Sequence, residues 1–137
     1  MNYHSKINLP NDVQAVPQLA GFVEQACEAA GIDMAGTMSV NLALEEAVVN
    51  VMNYAYPPDG YGEVDIEAVV DDEWLTFIVS DSGIPFDPTA QSDVDTTLTA
   101  EERQIGGLGI HIVRTIMDRI DYKRVGEKNV LTLSKKH

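Results

Sequence analysis

From Asn11 to Tyr54 apolar residues recur at helical spacing, from Glu63 they alternate, and after a long aperiodic stretch both patterns appear once more. That succession excludes an all-helical or all-β chain and leaves an α+β layered arrangement. Met1 to Leu9 reads as a short strand ending at Pro10. Asn11 or Asp12 caps a helix running to Ala30, with Gly31 as its left-handed stop and Pro17 delaying its regular part. Asp33 caps a second helix, whose good formers continue to Tyr54 before Pro57-Pro58-Asp59-Gly60 ends it.

Val64, Ile66, Ala68 and Val70 share one face of a strand, and Asp71-Asp72 turns it into another. That next strand, Trp74 to Ser80, is apolar on both faces, so it belongs at the centre of a sheet with helices on at least one side. From Asp81 to Ile105 no period holds, and a loop of that length in a compact domain is usually a functional lid or a disordered segment. Gly106-Gly107-Leu108-Gly109 then opens a helix with Leu108, Ile112 and Ile116 on one stripe and Val113 and Ile120 beside it. Two closing strands, around Ile120 to Val125 and Asn129 to Ser134, meet at Gly126-Glu127-Lys128. The elements predict a two-layer α/β sandwich, one domain over residues 1–137, since no repeat, linker or low-complexity tract divides the chain.

The charge narrows the partners. A formal charge of −13, from nine Lys and Arg against 22 acids, argues against nucleic acid and anionic membranes, which need a basic patch. No apolar run approaches the roughly 20 residues that cross a bilayer, and the first residues lack the order of a signal peptide, so the chain is expected in the cytoplasm. The single Cys27 permits no internal disulfide and reads as a small buried helix residue.

Three stretches carry chemistry. On the second helix, at about 100° per residue, Glu46, Asn50 and Asn53 fall within a sector of about 60°, while Val40, Leu44, Val48, Val51 and Ala55 take the opposite side. A carboxylate and a carboxamide one turn apart can accept a proton and ligate a hard cation that keeps most of its waters; a solvated helix face has the same appearance. Glu45 points about 100° away from Glu46 and is not given that role. Asp81 ends the central strand with Gly83 two residues on, a place for accepting a hydrogen bond from an exocyclic amine while the glycine lets backbone approach a flat ring, although Asp-x-Gly is also an ordinary turn. Gly106-Gly107-Leu108-Gly109 at a helix start can present backbone N–H groups to a phosphate, or serve merely as a hinge.

The order of these stretches resembles the GHKL ATP-binding superfamily of gyrase, MutL and histidine kinases, and within it the anti-sigma factor serine/threonine kinase branch. Glu45-Glu46-Ala47-Val48-Val49-Asn50 looks like its N box. Asp81-Ser82-Gly83-Ile84-Pro85-Phe86-Asp87-Pro88 looks like the first glycine box, Gly106-Gly107-Leu108-Gly109-Ile110-His111-Ile112-Val113 like the second, and Asn129 to Leu133 like the closing strand. Two departures stand out: Tyr54-Ala55-Tyr56 where many anti-sigma kinases carry His-Ala-Tyr, and Pro85 where histidine kinases usually have a second glycine.

The resemblance implies a Bergerat-type fold, with a mixed sheet backed by helices and ATP held between the helices and a lid over residues 86–105. It implies that Asn50 ligates Mg²⁺, Glu46 is the base, Asp81 reads the adenine amine and Gly83 shapes that pocket. Asn53 would share the nucleotide face, and Gly106, Gly107, Leu108 and Gly109 would supply phosphate contacts. From charge alone, Arg103 is the only lid cation able to reach a γ-phosphate, while an arginine following Glu101 and Glu102 also reads as one that simply sits in water. The function implied is a serine/threonine kinase that sequesters a sigma factor and phosphorylates a small anti-anti-sigma antagonist, with a homodimer possible. Two rivals stand beside it: an ATP-dependent protein-binding switch without phosphoryl transfer, and the detached catalytic domain of a sensor histidine kinase.

Overall fold

The computed structural model describes residues 3–56, 62–90 and 105–137. Strand β1 (Tyr3–Pro10) leads through a 3₁₀ turn, Val13–Gln18, into α1 (Leu19–Ala30) and α2 (Met34–Tyr54). Strands β2 (Glu63–Val70) and β3 (Trp74–Asp81) follow, then a short 3₁₀ turn at Pro88–Ala90, α3 (Ile105–Ile116), β4 (Arg119–Val125) and β5 (Lys128–Lys136). The helix ends obey local chemistry. The Asp12 side chain accepts from the Gln14 N–H at 2.9 Å and that of Asp33 from the Gly36 N–H at 2.8 Å, each satisfying an orphan donor. Gly31 closes α1 at φ 73°, a conformation that a Cβ would strain.

The five strands form one sheet in the order β1-β2-β3-β5-β4, with β3 at its centre as expected. All four pairings are antiparallel, which corrects the expectation of a mixed sheet. The connections explain it. Two helices between β1 and β2 return the chain reversed beside the strand it left. A single helix between β3 and β4 makes those two run the same way, but β5 lies between them, so no parallel neighbours arise.

One face of the sheet is the core. Leu9, Val64, Ile66, Ala68, Val70, Leu75, Phe77, Val79, Leu131 and Leu133 are buried there beneath Leu19, Phe22, Val23 and Ala26 of α1 and Val40, Leu44, Val48 and Val51 of α2. The Phe22 and Phe77 rings meet at 6.3 Å between centroids. Each fully buried Leu, Ile or Phe of this set contributes about 1.5–3 kcal/mol. Cys27 is among them, and burial raises its thiol pKa. The other face is only half covered; Trp74 lies there with the Arg119 guanidinium 4.1 Å from its ring centroid.

Helix α3 differs from its expected stripe. Burial centres on Ile110 and Val113, continued by Met117 just past its end, while Ile112 and Ile116 are half-buried and Ile120 belongs to β4. His111, Arg114 and Thr115 lie on one side of the helix, and on its apolar side Ile110 and Val113 take the place against the core that the expected stripe gave to Ile112 and Ile116. No helix among the described residues is long and apolar enough to cross a membrane.

Candidate functional site

Helix α2 packs as its spacing predicts, and its opposite side is polar but not uniformly wet. Glu46 is half-buried and Asn53 exposed, whereas Asn50 is only 2% exposed. The Asn50 Nδ2 group donates to the Glu46 carbonyl one turn back at 3.0 Å. Its Oδ1 is buried and has no hydrogen-bond partner among the described residues. Burying a carboxamide oxygen unpaired is unfavourable by about 1–3 kcal/mol, so the position demands an explanation beyond packing. Glu45 is engaged elsewhere, accepting from the Asn41 side chain at 3.0 Å.

Asp81, at the end of β3, is 4% exposed and fully engaged on one oxygen. Its Oδ1 accepts from the Gly83 N–H at 2.8 Å and from Asn129 Nδ2 at 2.9 Å. Burial pushes its carboxyl pKa up, opposed by those two hydrogen bonds and by the nearby Arg124 charge. The turn that follows lies against the end of α2. A Cβ on Gly83 would sit 2.2 Å from the Ala55 carbonyl oxygen, and the Ile84 N–H donates to that same oxygen at 2.8 Å. The glycine is therefore required for close backbone approach and not for an unusual φ.

Two residues that the sequence reading left without a role hold this turn. Asn129 is the cross-strand partner of Asp81, and besides that acid it donates to the Ile84 carbonyl at 2.7 Å. Its Oδ1 accepts from the Phe86 N–H at 3.1 Å and from the Tyr122 hydroxyl at 2.5 Å. A signal was present: Asn129 sits at the parity of Leu131 and Leu133, so alternation put an amide on a buried face. Tyr56, just beyond α2, donates to the Glu63 carbonyl at 2.9 Å and accepts from the Ser82 N–H at 2.9 Å. That link depends on three separate elements meeting, and no local pattern announces it.

Past the turn, the Tyr54 and Phe86 rings meet at 5.5 Å, and Asp87 Oδ1 accepts from the Thr89 N–H at 2.8 Å. Arg114 of α3 donates to the Thr89 carbonyl at 2.6 Å, tying the start of the loop to that helix. Gly106 to Gly109 form the first turns of α3, which packs on α2, and their backbone N–H groups are the open donors of that helix start. Residues 91–104, with Arg103, lie outside the described residues, as do the side chains at 105–109, Leu108 included. A cavity of ≈ 490 Å³ opens beside Asp81 between Tyr56, Gly62, Glu63, Asp65, Ser82 and Lys128. Among the described residues its lining includes none of Glu46, Asn50 and Asn53.

A half-buried acid and an amide with an unpartnered oxygen on one helix, an anchored acid after the central strand and a glycine-rich helix start are the features expected of a nucleotide-binding ATPase-type domain. The histidine kinase-like ATPase domain matches residues 9–135, and the chain belongs to that family. Among its relatives, the serine-protein kinase RsbW of Bacillus subtilis is 30% identical over 116 residues, 79% of this chain and 72% of that protein. RsbW of Listeria monocytogenes serovar 1/2a is 30% identical over 95 residues, 66% of this chain, and the match spans 60% of that relative's length. The RsbU and RsbW domains of Rv1364c from Mycobacterium tuberculosis share the fold at TM-score 0.66 and 15% identity, over 97% of this chain and 32% of that one. The histidine kinase domain from Erythrobacter litoralis EL346 shares it at TM-score 0.54 and 15% identity, over 93% of this chain and 61% of that one.

Proposed function

We propose that the chain is a Mg²⁺-ATP-dependent serine/threonine protein kinase that also sequesters a sigma factor and phosphorylates a small antagonist of that sequestration. The observation carrying this reading is the buried, unpartnered Asn50 Oδ1 one helical turn from Glu46. A carboxamide oxygen of that kind fits a hard cation, which takes one or two protein oxygens and otherwise water and phosphate. Bound there, Mg²⁺ would neutralise charge on the phosphates of ATP. Glu46 takes the proton of the incoming hydroxyl, Asp81 accepts from the adenine amine with its free oxygen, and the N–H groups of Gly106, Gly107 and Gly109 hold phosphate. Asn53 flanks the phosphates from the exposed end of the same helix face.

The name serine-protein kinase carried by the RsbW relatives supports a hydroxyl side chain, serine first, as acceptor. The test is transfer from γ-labelled ATP to a purified small anti-anti-sigma protein of the same organism, with the product tested for alkali lability. Glu46→Gln is expected to lower transfer at least about a hundredfold, in line with loss of a general base, while leaving ATP affinity within a few-fold. Absence of label on any serine or threonine would overturn the kinase reading. ATP-dependent partner binding with no transfer would establish the switch instead, and alkali-stable label would point to phosphohistidine.

A further inference from the structure

Met34, Met38 and Leu42 of α2 are 81%, 69% and 44% exposed. They recur every fourth residue and form one ridge along the first turns of the helix, with small, exposed Ala35 and Ser39 beside it. Isolated exposed apolar residues are ordinary, and Val13, Ile84 and Val125 are of that kind, each on a different element. A row of three long side chains on a helix that already buries its other face is different, because it presents the i, i+4, i+8 anchors by which two helices recognise each other. Methionine suits such a surface, since its unbranched thioether repacks around varied partners.

The charge around the ridge selects the occupant. No lysine or arginine occurs between Lys6 and Arg103, so α1 and α2 carry no cation, while Glu24, Glu28, Asp33, Glu45 and Glu46 are all acidic. Asp33 stands at the start of the ridge and Glu45 close to its line at the other end. A second copy of this chain laid on the ridge would set acid against acid, and at −13 per chain that repulsion is general as well as local. A basic segment gains at both ends.

We propose that the Met34–Met38–Leu42 ridge docks a basic amphipathic helix of a protein partner. The docked helix lies along α2 with its apolar stripe on the ridge and its basic residues toward Asp33 and Glu45. Leu42 precedes Glu46 by one turn, so the bound segment runs toward the nucleotide site, about 12 Å from Met38 to the level of Glu46 at 1.5 Å per residue. The ridge itself lies outside that site, and partner binding can fail while ATP binding holds.

The test uses the full chain and a fluorescent synthetic helical peptide of leucine and lysine, beside a leucine and glutamate peptide of the same pattern. Anisotropy is expected to give micromolar binding of the basic peptide and none of the acidic one. Met34→Ser combined with Met38→Ser is expected to raise the Kd at least about tenfold, which is the loss of about 1.4 kcal/mol. Val125→Ser is expected to leave it unchanged, and both variants should melt with the wild type because the substituted positions are exposed. Magnesium-ATP affinity, measured on the same samples, should not move, so a failure there bears on the nucleotide site and not on the ridge. An unchanged Kd in the double variant would mean attraction by charge alone and would overturn the proposal. So would equal binding of the acidic peptide, or a wild-type dimer in sedimentation that the double variant dissociates.

Discussion

Asp81 and Asn50 are both polar, both almost wholly buried and both assigned to the proposed nucleotide site, yet the fold treats them in opposite ways. Asp81 is held by a neighbouring N–H, by Asn129 across the sheet and by the field of Arg124. Asn50 bonds only its own helix through Nδ2, and its oxygen meets nothing among the described residues. The first arrangement is pre-organised: little needs to move when a flat ring arrives. The second stores an unmet hydrogen-bond acceptor, which a ligand relieves on binding. In the proposed site one end is thus suited to shape and the other to charge.

The anchored end is the one that a small change in volume should damage most. Gly83→Ala puts a methyl group 2.2 Å from a backbone oxygen of α2, and backbone there is held by the helix and by the Ile84 N–H. The turn has to lift away, breaking that hydrogen bond and displacing Asp81. A loss of about 2–3 kcal/mol in chemical denaturation is expected, together with loss of ATP binding by calorimetry. Wild-type stability in this variant would show that the turn is loose and that the contrast with Asn50 is false.

At the charged end the same kind of experiment should leave the fold alone. Asn50→Ala removes an unsatisfied oxygen along with one modest hydrogen bond, and alanine is the better helix former, so stability should stay within about 1 kcal/mol of the wild type. Affinity for ATP with Mg²⁺ should nevertheless fall at least about tenfold, and the dependence of binding on Mg²⁺ should disappear. Marked destabilisation with unchanged Mg²⁺ dependence would make Asn50 a structural residue like Asp81.

Much of this contrast was visible in the sequence, for reasons that differ by residue. Asp12, Gly31 and Asp33 fix helix ends through local bonds, so their roles follow from identity and position alone. The alternation from Val64 to Val70 and the doubly apolar β3 gave both the buried face and the central place of that strand. Angle groups Glu46, Asn50 and Asn53 on one side of the helix, but it does not say that Asn50 is buried while Asn53 is exposed; that follows from what packs above each. The sheet's pairing depended on counting helices between strands. Asn129 was legible by alternation yet carries its role only through Asp81, Ile84, Phe86 and Tyr122, which the chain brings together from distant positions. The Met34 ridge broke the rule that the side opposite a packed face is polar, and it became readable once exposure was known.

The smallest expected effect is on pH dependence, and it follows from the same burial that anchors Asp81. Its carboxyl pKa in the folded chain is raised, chiefly because burial disfavours the charge. The folded protein therefore holds that proton more tightly than the unfolded chain does. The stability this contributes is fully present below the unfolded carboxylate pKa of about 3.9 and is lost as pH rises through the higher folded value. Asp71 is opposite in sign: backbone N–H groups of Glu73 and Trp74 lower its pKa, so its contribution is present above the unfolded value and lost as pH falls. Denaturation midpoints measured across mildly acid pH should accordingly change in opposite directions in two variants. Asp81→Asn should remove a decline in stability with rising pH, a slope below the limit of about 1.4 kcal/mol per pH unit for one proton, and Asp71→Asn should remove a rise. Asparagine at 81 keeps an acceptor for the Gly83 N–H, so the turn should hold and the comparison stay clean. Parallel pH curves for wild type and Asp81→Asn would mean that Asp81 titrates as a solvated acid, and the anchored end of the site would not be the dry one.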